Sequence, residues 1–240
     1  MLLPIVAGGP GDQFNESTVQ AGHILGGRMI FPDGRAFRYA ENAAVLLVSG
    51  DVIQSSAPVA NHVLQTPTAG VVDDRTLVVA LGATAVAVNA YKDGYLHIPI
   101  GTAKGQTYTI QEHPAVASSG SFTVPLFEPL QTAVPATANS VSLIANQYKG
   151  VIQSPVTTLT GPAVGVSVSA LTASVFGWLQ VVGPASVTTK GTLIIGHNAA
   201  MLVTQAASVG PAAADTSVIL GRVLNVGSDG NKSLIDLNIC

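Results

Sequence analysis

Charge is what this 240-residue chain has least of: only 10% of its positions are Asp, Glu, Lys or Arg. Ordinary soluble domains are about 25% charged, which at this length means about 60 charged side chains. The chain carries 10 basic and 13 acidic residues. A folded monomer of 24.3 kDa exposes on the order of 10,000 Å², leaving about one charge per 430 Å² where the usual density is nearer ~170 Å². A surface filled by Ala, Val, Ser, Thr and Gly repels copies of itself weakly and is expected to associate. A net charge of -3 with ten basic residues argues against a nucleic-acid partner, which a basic footprint would mark.

Cysteine is nearly absent. Cys240, the last residue, has no partner for an internal disulfide and no neighbouring ligands for a metal, so it reads as an incidental tail residue. Long apolar runs are absent too, although hydrophobic residues make up 48% and the mean hydropathy is +0.46. The longest, residues 76–90, is interrupted by Gly82, Thr84 and Asn89 and flanked by Arg75 and Lys92, whereas a membrane-spanning helix needs about 20 residues. It reads as two short strands, and no membrane partner is expected. Residues 1–9 have no basic start and too short an apolar core for a secretory signal, so synthesis in the cytoplasm is the expectation.

What is present is a succession of short β-prone runs separated by Gly, Pro, Asn and Asp, which points to an all-β fold of one or two sandwich or barrel-like units. In residues 27–40, Pro32-Asp33-Gly34 stands between two alternating runs; Pro presets φ and Gly accepts positive φ, so this is a hairpin. Phe37 and Tyr39 then share one face, and Ala36, Arg38 and Ala40 the other. Residues 217–239 repeat the arrangement, with Ser228-Asp229-Gly230-Asn231 as the turn of a closing hairpin. Residues 95–101, 106–113, 121–130, 140–148, 177–182 and 191–196 are further strand-length runs. Helix is conceivable only in patches, residues 41–47 and the Ala-rich 197–207, where Gly and Val dilute the propensity.

Residues 1–22 contain Gly8-Gly9-Pro10-Gly11 and little periodicity, and read as an extended N-terminal arm able to latch onto a neighbour. The small, polar stretch 132–140, TAVPATANS, reads as a linker. It divides a β-rich unit at 23–131 from a second at 141–240, each of about 110 residues. A single sandwich of 200 or more residues is the alternative.

Several of these segments carry a resemblance. TASVFGWLQVVGPASVTTKGTLIIG at 172–196 is similar to a recurring pattern of tailed-bacteriophage virion structural proteins: aromatic-Gly-Trp-x-Gln-x-x-Gly, then a strand and Gly-Thr. LGGRMIFPDGRAFRYA (25–40) resembles an N-terminal hairpin of the same proteins, residues 105–134 and 142–155 resemble their central strands, and ILGRVLNVGSDG (219–230) resembles the end of capsid decoration proteins. The similarity covers most of residues 25–239. It implies a decoration, or cement, protein on the outer capsid surface of the virion, often a homotrimer. Its partners would be copies of itself and the major capsid protein, with no enzymatic activity and no cofactor. The low charge suits such a role, because desolvating ions at an interface costs more than burying Ala, Val or Thr. The alternative is a tail, collar or fibre component, or an adhesin that binds a host-surface glycan. That class calls for clustered aromatics with acidic or amide side chains at loop tips, and aromatics are only 5% of the chain.

Candidate interface residues follow from the aromatic positions. Trp178, the sole tryptophan, is a candidate anchor, though a Trp beside Gly177 in a strand is more often a core residue. Gln180 lies on the same face two residues on, and Arg35 and Arg38 flank Phe37 and Tyr39 in the first hairpin as a possible contact patch or a solvated hairpin face. Catalytic constellations are thin. His23, His62, His97, His113 and His197 are widely separated and read mostly as surface or turn residues. Asp73-Asp74 reads as a solvated turn. Ser49-Gly50-Asp51 lacks the preceding Gly of a nucleophile elbow, residues 101–105 lack the ending of a phosphate loop, and residues 227–233 lack the spaced carboxylates of a calcium loop. Asn15-Glu16-Ser17 and Asn231-Lys232-Ser233 match the glycosylation triplet, which carries little weight without a secretory signal.

Overall fold

Alternation of apolar and polar side chains drives the chain into strands in the computed structural model, which describes residues 3–213 and 217–239; Cys240 lies outside them. The protein is all-β. The strands are Leu3–Ala7 (β1), His23–Ile30 (β2), Ala36–Glu41 (β3), Val52–Gln54 (β4), Thr76–Ala80 (β5) and Tyr95–Ile100 (β6). Thr107–Thr109 (β7), Ser121–Pro125 (β8), Ser140–Ile144 (β9), Ile152–Gln153 (β10) and Ala163–Ser167 (β11) follow. The last are Phe176–Thr188 (β12), Asn198–Met201 (β13), Val209–Pro211 (β14), Ile219–Asn225 (β15) and Lys232–Asn238 (β16). Among the described residues no helix is long and apolar enough to cross a membrane.

Two compact units form, one from residues 1–57 and 147–240 and the other from residues 58–146. The division differs from the one expected at 132–140. That stretch is no linker: Gly70 and Val134 exchange both backbone hydrogen bonds at 2.9 Å, Gln65 and Val141 do the same at 2.7 and 2.9 Å, and Val134 is fully buried. The insertion is possible because the strands on either side of it are neighbours, β4 pairing with β10 through Ile53↔Gln153 and Gln54↔Ile152. A chain that leaves and re-enters at adjacent strands can carry a second unit between them.

In the discontinuous unit one sheet runs β1-β2-β3-β12-β16-β15-β13-β14, and β11, β4 and β10 branch from β12. The expected hairpins are both present. Gly34 at φ 89° turns β2 into β3, with Phe31 N–H donating to Arg35 O at 2.9 Å. Asn231 N–H donates to Ser228 O at 2.9 Å between β15 and β16. The thirteen-residue β12 spans two cores. Its first half pairs with β3 along Phe176–Val182 and packs Trp178 and Leu179 against Met29, Phe37 and Ile53. Its second half pairs with β16 along Val182–Thr188 and packs Ala185 and Val187 against Val52, Leu220 and Ile235.

Residues 3–22 are not a free arm. β1 pairs in parallel with β2 through Ile5↔Arg28, Val6↔Met29 and Ala7↔Ile30, and Ser17 and Phe176 exchange backbone hydrogen bonds at 3.0 and 2.8 Å. The glycines that suggested an extended arm supply its turn, with Gly11 at φ 95°. Neither helical patch forms: Asn42 and Leu47 make isolated bridges to Val151 and Leu171, and residues 197–207 contain β13, paired on both sides. Residues 191–196 are loop, with Ile194 and Ile195 exposed. Residues 76–90 hold β5 and, instead of a second strand, a single bridge at Val86 to Val116.

The inserted unit has a two-stranded ribbon, β5-β8, and a three-stranded sheet, β7-β6-β9. Its core joins Leu77, Val79, Leu96, Ile98, Phe122 and Leu143, all at most 1% exposed.

Candidate functional site

Strand alternation places Phe176 and Trp178 on one face of β12 with Gly177 on the other. On that opposite face a Cβ at Gly177 would lie 2.3 Å from Cδ2 of the buried Leu171, so a side chain there would have to displace Leu171. Across the strand pair Trp178 stands opposite Tyr39, their rings 5.0 Å apart and tilted by 58°. Phe176 lies nearly parallel to Tyr39 at 5.8 Å. His23 sets its ring edge-on to both, 5.1 Å from Tyr39 and 5.0 Å from Trp178. Aromatic pairs of this geometry contribute about 0.5–1.5 kcal/mol each beyond the area they bury.

The chain between β1 and β2 crosses this cluster. Tyr39 Oη accepts the Ala21 N–H at 3.1 Å, and Gln20 Nε2 donates to His23 O at 2.7 Å. Burial raises the Tyr39 phenol above its ordinary value, and the Ala21 N–H offsets part of that rise. Between the crossing segment and the rings lies a cavity of about 300 Å³, walled by His23, Tyr39, Phe176 and Trp178 and rimmed by Asp12, Asn15, Glu16 and Ser17. Asp12 Oδ2 accepts the Gly9 N–H at 2.7 Å, and Glu16 Oε2 accepts the Thr172 hydroxyl at 3.1 Å. No lysine or arginine lines it.

Of the six residues proposed as an interface, four are buried. Phe37, Tyr39, Trp178 and Gln180 are at most 5% exposed, so in this fold they hold strands together instead of meeting a partner. Gln180 donates its amide to the carbonyls of Val182, Gly183 and Pro184. The two arginines are half-buried and occupied within the unit. Arg35 pairs with Asp33 at 2.7 Å and places its guanidinium 5.1 Å from the Phe31 ring centre. The Arg35 backbone N–H, and then its side chain, hold the exposed Asp33 carboxyl below the ordinary carboxylate value. Arg38 donates to Gly26 O at 2.9 Å.

The inserted unit brings together two histidines in its interior, against the expectation of surface or turn positions. His62 and His113 are 2% and 3% exposed and flank Tyr91. His62 Nδ1 meets Tyr91 Oη at 2.5 Å and its Nε2 meets Thr84 O at 2.9 Å. His113 Nε2 accepts the Tyr91 N–H at 3.0 Å, so its Nδ1 is the donor to Pro114 O at 2.9 Å. Each ring nitrogen has a partner, the arrangement of a core network that satisfies its own polar groups. Asp74 caps its own turn by accepting the Val71 N–H, and Asp51 is held by Val48 N–H and Gln153. Among the described residues no three His, Cys, Asp or Glu side chains gather to hold a metal ion.

Sequence reasoning missed His23, Phe176 and the carboxylates of residues 12–16 as one site. The available signal was the alternation that puts Phe176 and Trp178 on one face; nothing in the sequence brings the Gly-rich N-terminal stretch across them. No protein-family model, curated protein or solved structure matches the chain.

Proposed function

We propose that this protein is a non-enzymatic structural component of a tailed-bacteriophage virion. In this reading it binds the outer capsid surface as a homotrimeric decoration protein and stabilises the seams between capsomers. The observation that carries it is the combination of sparse charge with large apolar side chains left on the surface of both units. In the discontinuous unit Val45, Leu46 and Val48 are 62%, 50% and 49% exposed in the stretch before β4, and Ile194 and Ile195 are 57% and 64% exposed. In the inserted unit Val71, Val72 and Phe127 flank one end of the β5-β8 ribbon, all at least half exposed. Arg75 backs that end, donating to Phe127 O at 2.6 Å. Scattered apolar residues are ordinary on any protein, but groups such as Val45, Leu46 and Val48, or Ile194 and Ile195, with no charged residue among them, are what a covered surface requires; the group of the inserted unit is bordered by Asp73, Asp74, Arg75 and Glu128. The resemblance of residues 25–40, 172–196 and 219–230 to virion proteins supplies the identity of the partner. Many copies of one modest contact then act together around a shell.

Mixing the purified protein with expanded, undecorated capsids and counting bound copies tests the reading. Saturation at a count matching three-fold positions is expected, together with a trimer by size exclusion and light scattering. No binding to the shell, with a monomer at high concentration, would remove both parts of it.

A further inference from the structure

We infer that the aromatic cavity of the discontinuous unit is a binding site for a neutral saccharide unit. The inference stands apart from the capsid reading, since it concerns a pocket formed within one unit, whereas that reading is carried by exposed apolar side chains outside it.

Three properties of the cavity select the ligand class. Its walls include the aromatic side chains of Tyr39, Phe176 and Trp178, apolar groups suited to the C–H face of a sugar ring. Its rim supplies acceptors, the carboxylates of Asp12 and Glu16. Each of them already spends one oxygen on a neighbouring donor, Gly9 N–H or the Thr172 hydroxyl, and is thereby fixed in place with its second oxygen to offer. Trp178 in the cavity wall also carries a donor, since its indole N–H, a donor only, has no acceptor among the described residues.

An anion would meet two carboxylates and no cationic side chain. An organic cation would satisfy the carboxylates and stack on the rings, but would leave the indole N–H unserved. Hydroxyl groups both donate and accept, so a polyhydroxy ring answers the whole set. The volume, about 300 Å³, stands at the small end of ligand pockets, about 300–1,000 Å³, enough for one sugar unit with its neighbours projecting outward.

Because Trp178 is the only tryptophan and lines the cavity, its emission reads occupancy directly. The protein is titrated with glucose, galactose, mannose, rhamnose, N-acetylglucosamine, N-acetylgalactosamine and their short oligomers, and separately with tetramethylammonium chloride. A saturable change with at least one sugar is expected, with a Kd on the order of 1 mM. The rim variant carrying Asn15→Ala and Glu16→Ala, both exposed positions, should weaken it about tenfold or more while leaving the circular dichroism spectrum unchanged. Three results would each overturn the inference: no saturable response to any sugar, saturation by tetramethylammonium alone, or sugar affinity unaltered in the rim variant.

Discussion

Gln180 reaches along its own strand to Pro184, donating its side-chain amide to that carbonyl at 3.0 Å. The same nitrogen lies 3.1 Å from Val182 O and 3.2 Å from Gly183 O. These are the residues at which β12 exchanges β3 for β16 as a neighbour, through an irregular register and Gly183 at φ 87°. A strand changing partners leaves carbonyls outside the ladder, and buried carbonyls need donors. The amide supplies them from a position 1% exposed. Gln180→Leu keeps the volume and should lower stability by about 1–3 kcal/mol in urea unfolding. Gln180→Glu should cost more, because an acceptor-only carboxylate would face carbonyl oxygens. Stability of Gln180→Leu equal to that of the unsubstituted protein would mean that the bend holds without this amide.

Strand identity was legible where alternation and turn chemistry coincide, at the hairpins around Asp33-Gly34 and Asp229-Gly230. It failed where apolar content alone was the guide: Leu193, Ile194 and Ile195 resemble a strand, yet only Leu193 is buried and the segment pairs with nothing along its length. The aromatic motif marked Trp178 but not its neighbours, because the parallel pairing of β1 with β2 and the Ser17 bridge to Phe176 are contacts between distant segments that no local pattern encodes. The unit boundary was hidden for the same reason. It depends on β4 lying beside β10, whereas Pro and small residues at 132–140 imitate a linker inside a well-packed unit.

Alkaline pH should loosen the inserted unit through Tyr91. Burial pushes its phenol from 10.0 up to about 12, and its hydroxyl is committed to His62. The fold therefore favours the neutral phenol. Its contribution is fully present below about pH 10, where the unfolded phenol is also neutral, and is lost progressively as pH rises towards about 12. Tyr91→Phe should be less stable at neutral pH, having lost the bond to His62, but its urea midpoint should fall less steeply across this window. The Tyr39 phenol, also raised, leaves some slope in both proteins. Identical slopes would show that Tyr91 ionisation is not coupled to unfolding.

Two glycine substitutions should separate strain from collision. Gly221 in β15 stands opposite Leu237, and a Cβ there would lie 2.0 Å from Asp236 O, a backbone atom of the partner strand. Gly221→Ala must spread the closing hairpin and is expected to cost about 3 kcal/mol or more. Gly34 has φ 89° but nothing within 4 Å of a Cβ, so Gly34→Ala meets only the left-handed backbone penalty of about 1–2 kcal/mol. Urea midpoints of the two variants give the comparison. The reverse order would mean that the β15-β16 pair yields more easily than its register implies.

Tyr39 contributes to the cluster twice, through its ring and through its hydroxyl, and Tyr39→Phe isolates the second. The ring stays against Phe176 and Trp178, while the Ala21 N–H loses the acceptor it meets at 3.1 Å. The crossing segment is otherwise held by the Ser17–Phe176 backbone pair and by Gln20 on His23 O. Stability should fall by about 1 kcal/mol, and hydrogen exchange should accelerate at Ala21 while the amides of the β2-β3 pair keep their protection. Because that segment forms the rim of the aromatic cavity, its loosening should be felt there and not in the second core around Ile235. Unchanged exchange at Ala21 would assign the hold on this segment to the Ser17 bridge and Gln20. The phenol would then be a buried polar group kept for its ring.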